Sequence, residues 1–213
     1  MSAQIDRPPK RTPRFTRQTA DARKQQLIAA AIDCLAEGGM AAFTIDRICR
    51  KAGISRGLIS HHFKGKEALL AAAYEVMTRN LDEMASAGLA SARADPAAAL
   101  RATIEANFAE APFDKNQLKA WLAVWGEVAN NVRLKEVHRK RYIAYQSSLA
   151  AAIAGLATQR RRKVDAEQLA TMFIALIDGL WLEWCLDAGM LSRDDAKAAC
   201  YALLEPYLGP LQG

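Results

Sequence analysis

Apolar residues recur along this chain at intervals of three and four, and no segment keeps the strict alternation of a half-buried strand. That period predicts an all-α protein. From Asp21 onward, Leu27, Ala31 and Leu35, with Ile28 and Ile32 beside them, mark an amphipathic helix ending at Gly38-Gly39. Ile45, Ile48 and Ala52 set a second, short helix, and Thr44 stands where a side chain can cap its first amides. Gly53 suits the left-handed exit from that helix, Ile54 can plug the gap beside it, and Ser55 can cap a third helix in which Leu58, Ile59 and Phe63 pack inward. A longer helix beginning at Glu67 runs through Leu70, Tyr74, Met77 and Leu81. Pro96 fits the first turn of the next, which reaches Phe108; Ala-Pro-Phe at 111–113 marks a break, and helical periodicity resumes from Leu118 to Ala129. Segments near 133–156, 165–187 and 194–207 complete the set.

Two short helices broken by a glycine turn and followed by a basic loop form a helix-turn-helix. Arg56, Gly57, Ser60 and His61 can then face outward near the start of a helix able to enter a DNA major groove. Charge strengthens the reading. Residues 1–66 carry 13 Lys and Arg against 5 Asp and Glu, whereas residues 67–213 carry 16 against 18, so the overall +6 belongs to the first third of the chain. Clustered cations release counterions from phosphate and supply sequence-independent affinity. The expected organisation is a flexible basic leader (1–20), a helix-turn-helix domain (21–66) and a ligand-binding and dimerisation domain (67–213). In the leader, Arg7, Lys10, Arg11, Arg14 and Arg17 are either solvated or placed to track phosphates.

The segment 165–187 is apolar on more than one side: Leu169, Met172, Phe173, Leu176, Ile177, Leu180, Trp181 and Trp184 keep a 3-4 spacing, and Ile174, Ala175 and Leu182 extend the neighbouring faces. Such a helix is expected to pack both into its own domain and against a second copy. A dimer also lets paired recognition helices meet major grooves roughly 34 Å apart. Trp121 and Trp125 stand at i, i+4, and Trp181 and Trp184 at i, i+3, so with Phe108, Tyr142 or Tyr145 they can line one cavity. A quaternary ammonium donates no conventional hydrogen bond and is held by aromatic faces near an acid, here Glu105, Glu127, Asp178 or Glu183. The competing reading of each tryptophan is core or dimer interface.

Other features point to bland roles. With 213 residues, 51% of them hydrophobic, the chain can bury a core without metal or disulfide support, and Cys34, Cys49, Cys185 and Cys200 lack zinc-ligand spacing. No metal or cofactor is expected: His61-His62 has no further ligands nearby in sequence, His138-Arg139-Lys140-Arg141 reads as a solvated helix face, and Arg160-Arg161-Arg162-Lys163 as an exposed loop. No nucleophile-base pair, phosphate loop or catalytic carboxylate pair emerges, so no enzyme is expected. Neither a run long enough to span a bilayer nor the apolar core of a signal peptide is apparent, which predicts a cytoplasmic protein without a membrane partner.

Residues 22–69, including Gly53-Ile54-Ser55-Arg56-Gly57-Leu58-Ile59-Ser60-His61-His62-Phe63-Lys64-Gly65-Lys66-Glu67-Ala68-Leu69, resemble the three-helix head of the TetR family of transcriptional regulators. The resemblance implies that Thr44, Arg56, Gly57, Leu58, Ser60, His61, His62 and Lys66 lie at or near operator DNA; many members carry aromatic residues where this chain has Ser60-His61. Further segments, Ile104-Glu105-Ala106-Asn107-Phe108, Lys119-Ala120-Trp121-Leu122-Ala123-Val124-Trp125 and Ala175-Leu176-Ile177-Asp178-Gly179-Leu180-Trp181-Leu182, are similar to the BetI-type, choline-responsive repressors of glycine betaine synthesis. That branch implies a homodimeric repressor with a small-molecule effector, choline, in the body. Phe108, Trp121, Trp125, Tyr142, Asp178 and Trp181 are the expected ligand-site residues, Trp121 and Trp125 foremost. The alternatives are a repressor of the same fold sensing another cationic or lipophilic metabolite or drug, and a helical binding protein or enzyme without operator recognition.

Overall fold

In the computed structural model, residues 20–89, 94–109 and 115–211 are described; the leader and the break at 111–113 lie outside them. Helix α1 (Ala20–Ala42) buries Leu27, Ala31, Cys34 and Leu35 along one stripe. Its regular course stops at the expected Gly38-Gly39, both of which leave helical geometry with Gly39 at φ +60°, before a last short turn to Ala42. Helix α2 (Ile45–Ala52) begins as its cap residue dictates: the Thr44 hydroxyl accepts from the Arg47 amide at 3.3 Å. At its end Gly53 is left-handed, and the amides of Gly53 and Ile54 return to the carbonyls of Arg50 and Cys49. Helix α3 (Arg56–His62) buries Ile59, with Phe63 just beyond it. Two expectations change here. Ser55 occupies the cap position without a side-chain cap bond, the turn closing instead through the Leu58 amide to the Ser55 carbonyl at 3.0 Å, and Leu58 is only half-buried.

Helix α4 (Lys66–Leu89) leaves the head and enters the body, followed by α5 (Pro96–Asn107), α6 (Lys115–Val128), α7 (Val132–Gln159), α8 (Ala166–Leu186) and α9 (Arg193–Leu208). The starts of α5, α7, α8 and α9 are set by short polar side chains: Asp95, Asn131 and Asp165 accept from amides three residues on, and Ser192 and Asp195 cap each other's backbone. No strand occurs among the described residues.

Two apolar cores result. One joins α5 to α9 around Leu100, Ile104, Phe108, Phe173 and Leu204. The other centres on Leu27, Phe43, Ile48, Leu69 and Tyr74, and continues into the body through Ala120, Trp121 and Val124 of α6 and Leu134 of α7. Helix α6 is therefore the shared wall. Its Ala123 faces the α1 interruption, where a Cβ on Gly39 would lie 3.9 Å from the Ala123 Cβ.

Helix α8 is long and apolar enough, by length and composition, to cross a membrane, with a mean hydropathy of 1.6, which corrects the expectation that no run reaches that length. Its apolarity has a source within the fold: Leu169, Phe173, Ile177 and Trp181 fill the core, while Met172 and Leu182 lie on a different, exposed face. At the far end of the body, Arg160 donates to the carbonyls of Leu208 (3.0 Å) and Pro210 (2.7 Å), and Arg101 donates to that of Leu211 (2.5 Å), tying down the segment after α9.

Candidate nucleic-acid interface and ligand cavity

On the head, the helix-turn-helix presents Thr44, Arg56, Gly57, Ser60, His61 and Lys66 exposed, with Leu58 and His62 half-buried beside them. All eight belong to one short stretch of backbone around α2, α3 and the first residue of α4. Arg56 forms an ion pair with Asp46 in the first turn of α2. That hydrogen bond holds the Asp46 carboxyl below the usual range and raises the Arg56 guanidinium. Glu37 of α1 binds both Arg47 (2.8 Å) and Lys51 (2.5 Å), fastening α2 to the end of α1. The Lys66 ammonium lies 5.6 Å from the centre of the Phe43 ring, and the rings of His61 and His62 meet edge to face at 5.1 Å. Exposed ion pairs of this kind contribute little to stability and exchange readily for phosphate.

In the body, a cavity of about 440 Å³ opens between α6, α7 and α8, lined by Leu122, Trp125, Val128, Ala129, His138, Asp178, Gly179 and Leu182. Burial pushes the Asp178 carboxyl up to about 6 and pushes the His138 imidazole below its ordinary value. Near neutral pH the lining therefore presents one carboxylate, one neutral imidazole, one indole and aliphatic walls. That combination favours a small cation carrying apolar groups.

The expected ligand residues divide. Trp125 and Asp178 line the cavity. Trp121 and Trp181 are buried behind it, with ring centres 5.9 Å from Trp121 to Trp125 and 6.5 Å from Trp121 to Trp181, and the Trp181 N–H donates to the Asn107 carbonyl at 3.2 Å. The Tyr142 ring stands 6.0 Å from that of His138. Phe108 lies in the α5–α9 core. Of the other acids considered, Glu105 pairs with Lys197 at 2.5 Å, and neither Glu127 nor Glu183 is among the lining residues.

His138 overturns its sequence reading. Rather than sharing the solvated face of its basic run, it is half-buried, borders the cavity and hydrogen bonds with the Tyr74 hydroxyl at 2.9 Å. The signal was present in the i, i+4, i+8 series Leu134, His138, Tyr142, whose first member is fully buried. Among the described residues, no group of three His, Cys, Asp or Glu is arranged to hold a metal ion, and the four cysteines are buried and outside any disulfide.

Comparison with known proteins supplies the context. Residues 27–73 match the family model described as bacterial regulatory proteins, tetR family, and residues 96–209 match the BetI-type transcriptional repressor, C-terminal. The chain is 33% identical over 190 residues to the HTH-type transcriptional regulator BetI of Yersinia pestis (strain Pestoides F), covering 87% of this chain and 92% of that protein. A crystal structure of a Pseudomonas aeruginosa PAO1 protein described as a transcriptional regulator superposes with a TM-score of 0.81 at 34% identity, covering 91% of this chain and 94% of the other. A Saccharomonospora viridis regulator solved in complex with choline has the same fold, with a TM-score of 0.74 at 24% identity and coverage of 88% and 97%.

Proposed function

This chain belongs to the BetI-type branch of the TetR family of transcriptional repressors, and from that premise we propose that it is a cytoplasmic, homodimeric repressor that senses choline and controls genes for glycine betaine synthesis or choline uptake. The observation that carries the effector assignment is Asp178, a half-buried carboxylate in the wall of a cavity that also exposes the Trp125 indole. A quaternary ammonium needs such a pair, because it offers charge without a hydrogen-bond donor; each aromatic face contributes roughly 0.5–2 kcal/mol. The choline bound by the Saccharomonospora viridis regulator supports the same reading.

In this reading, residues 21–66 form the DNA-binding domain, residues 67–213 bind the effector and a second copy, and residues 1–20 are a basic leader. Thr44, Arg56, Gly57, Leu58, Ser60, His61, His62 and Lys66 contact or border the operator. The dimer surface is built from α8 and α9, where Met172, Leu186 and Tyr207 are exposed apolar groups that a second copy can cover. Two heads then bind a near-palindromic site, and the effector shifts their separation away from roughly 34 Å. The shift can be no larger than the difference in effector affinity between the two states, about 1.4 kcal/mol for each tenfold loss of operator affinity.

Thermal denaturation and operator titration with choline, with glycine betaine as the comparison, test the assignment. Choline is expected to raise the melting temperature and weaken operator binding; no change in either measurement sinks it. Apolar walls from Leu122, Val128 and Leu182 favour one second reading, a bulkier lipophilic cation, which a panel of quaternary ammonium compounds separates.

A further inference from the structure

Tyr74 stands where the two halves of the molecule meet. It lies on α4, 1% exposed, and packs in the same cluster as Leu27, Phe43 and Ile48 of the head. Its other contacts belong to the cavity side: the hydroxyl is 2.9 Å from His138 Nδ1, the ring stacks on the His138 ring at 6.5 Å, and it meets Trp121 edge-on at 5.7 Å. Trp121 in turn touches Trp125. Burial pushes the pKa of the hydroxyl up to about 12, with Trp125 acting to lower it and the Asp178 charge to raise it further. Groups from α6, α7 and α8, three of them in the cavity lining, therefore converge on one phenol of the helix that leaves the head.

We propose that Tyr74 is the residue through which occupancy of the cavity reaches α4 and the head. The inference rests on the effector-responsive repressor reading and names the transmitting contact within it. A ligand that takes up or displaces His138 strips the buried hydroxyl of its hydrogen-bond partner. An unpaired buried hydroxyl is unfavourable, so α4 shifts to restore a bond. Tyr74 is about 12 Å along α4 from Lys66, and the turns between them, including Leu69, Leu70 and Ala73, are buried in the head core. Movement at Tyr74 consequently moves the support of α3. By reciprocity, DNA bound at the head must also be felt at the cavity.

That reciprocity permits a test independent of effector identity. All four tryptophans, Trp121, Trp125, Trp181 and Trp184, lie on body helices, with Trp121 at the boundary with the head core, so intrinsic tryptophan emission follows the body and that boundary. A fluorescein-labelled duplex, selected by the wild-type protein from a random library, gives DNA affinity by anisotropy while tryptophan emission is followed in parallel with the unlabelled duplex. Binding is expected to change the emission of the wild-type protein. Tyr74→Phe, which keeps the ring against Trp121, should bind the duplex within about threefold of wild type yet lose at least three quarters of that emission change. His138→Phe should reduce the change similarly, and the double variant should be no worse than either single one, because all three lack the same bond. A full response in Tyr74→Phe, or an unchanged wild-type emission with duplex bound, overturns the proposal while leaving the repressor reading intact. A wild-type protein that binds no duplex removes that reading and the proposal together. Choline thermal shifts on the same proteins judge the effector assignment separately.

Discussion

Arg56, the first residue of α3, is held by Asp46 in the first turn of α2, so the leading cation of the recognition helix is already engaged by a carboxylate. In the proposed operator complex, DNA phosphate competes with that acid. Asp46→Asn is expected to tighten non-specific duplex binding severalfold at low salt and to steepen its salt dependence by about one counterion, whereas Arg56→Ala weakens binding and flattens that dependence. Fluorescence anisotropy at several salt concentrations measures both. Equal slopes in the wild-type and Asn proteins would show that Arg56 does not reach the backbone.

Asp178 supplies a pH signature. Its carboxyl titrates at about 6, above its ordinary 3.8, because burial disfavours the charge. Choline affinity should therefore be full near pH 7.5 and fall through pH 6 as the carboxyl takes up a proton. The sign for folding is opposite. A raised folded pKa means that stability from this group is present at low pH and is lost as pH rises from about 4 to 6. Asp178→Asn should then stabilise the protein by about 1–3 kcal/mol at pH 7.5, a gain that shrinks toward pH 4, while abolishing the pH dependence of choline binding. Urea denaturation and calorimetric titration at the two pH values give the two readouts.

Trp125 offers a narrower effect. Trp125→Ala is expected to lower choline affinity by roughly 0.5–2 kcal/mol, between about two- and thirtyfold, with unliganded operator affinity within about threefold of wild type. Isothermal titration calorimetry beside an operator titration separates the two. An unchanged choline affinity would remove the indole from the site.

Gly53 tests the turn. Its φ of +64° is left-handed, and an added Cβ would meet nothing within 4 Å, so a substitution there acts through backbone strain rather than collision. Gly53→Ala should cost about 1–2 kcal/mol in urea denaturation and loosen α3 enough to weaken operator binding more than choline binding. A stability equal to wild type would mean that the turn relaxes freely.

The features legible from sequence were those decided within a few residues. Thr44 accepts from an amide three positions on, Gly53 donates to carbonyls three and four positions back, and the stripe Leu27, Ala31, Leu35 needs nothing but helical geometry to define a face. Ser55 fits the same local logic and still makes no cap bond, because the α2–α3 turn closes through backbone atoms. The cavity was legible in kind but not in membership. Four tryptophans at helical spacing announce an aromatic body, yet which ring faces a void depends on how α6, α7 and α8 are set against one another. Phe108 went to the core for that reason. His138 was hidden by its neighbours: three cations follow it, and only packing against Tyr74 turns its edge of α7 inward.

Helix α6 carries the cavity on one side, through Leu122, Trp125 and Ala129 at its end, and the head core on another, through Ala120 and Val124. This division bears on how the protein can diversify. Changes at 122 and 129 can retune ligand choice while Ala120 and Val124 keep their hold on the head, and Trp125, packed against both the cavity and the head core, is the position where the two roles meet. Descendants of one ancestral sensor can thus acquire new chemical tastes without first relearning how to hold DNA.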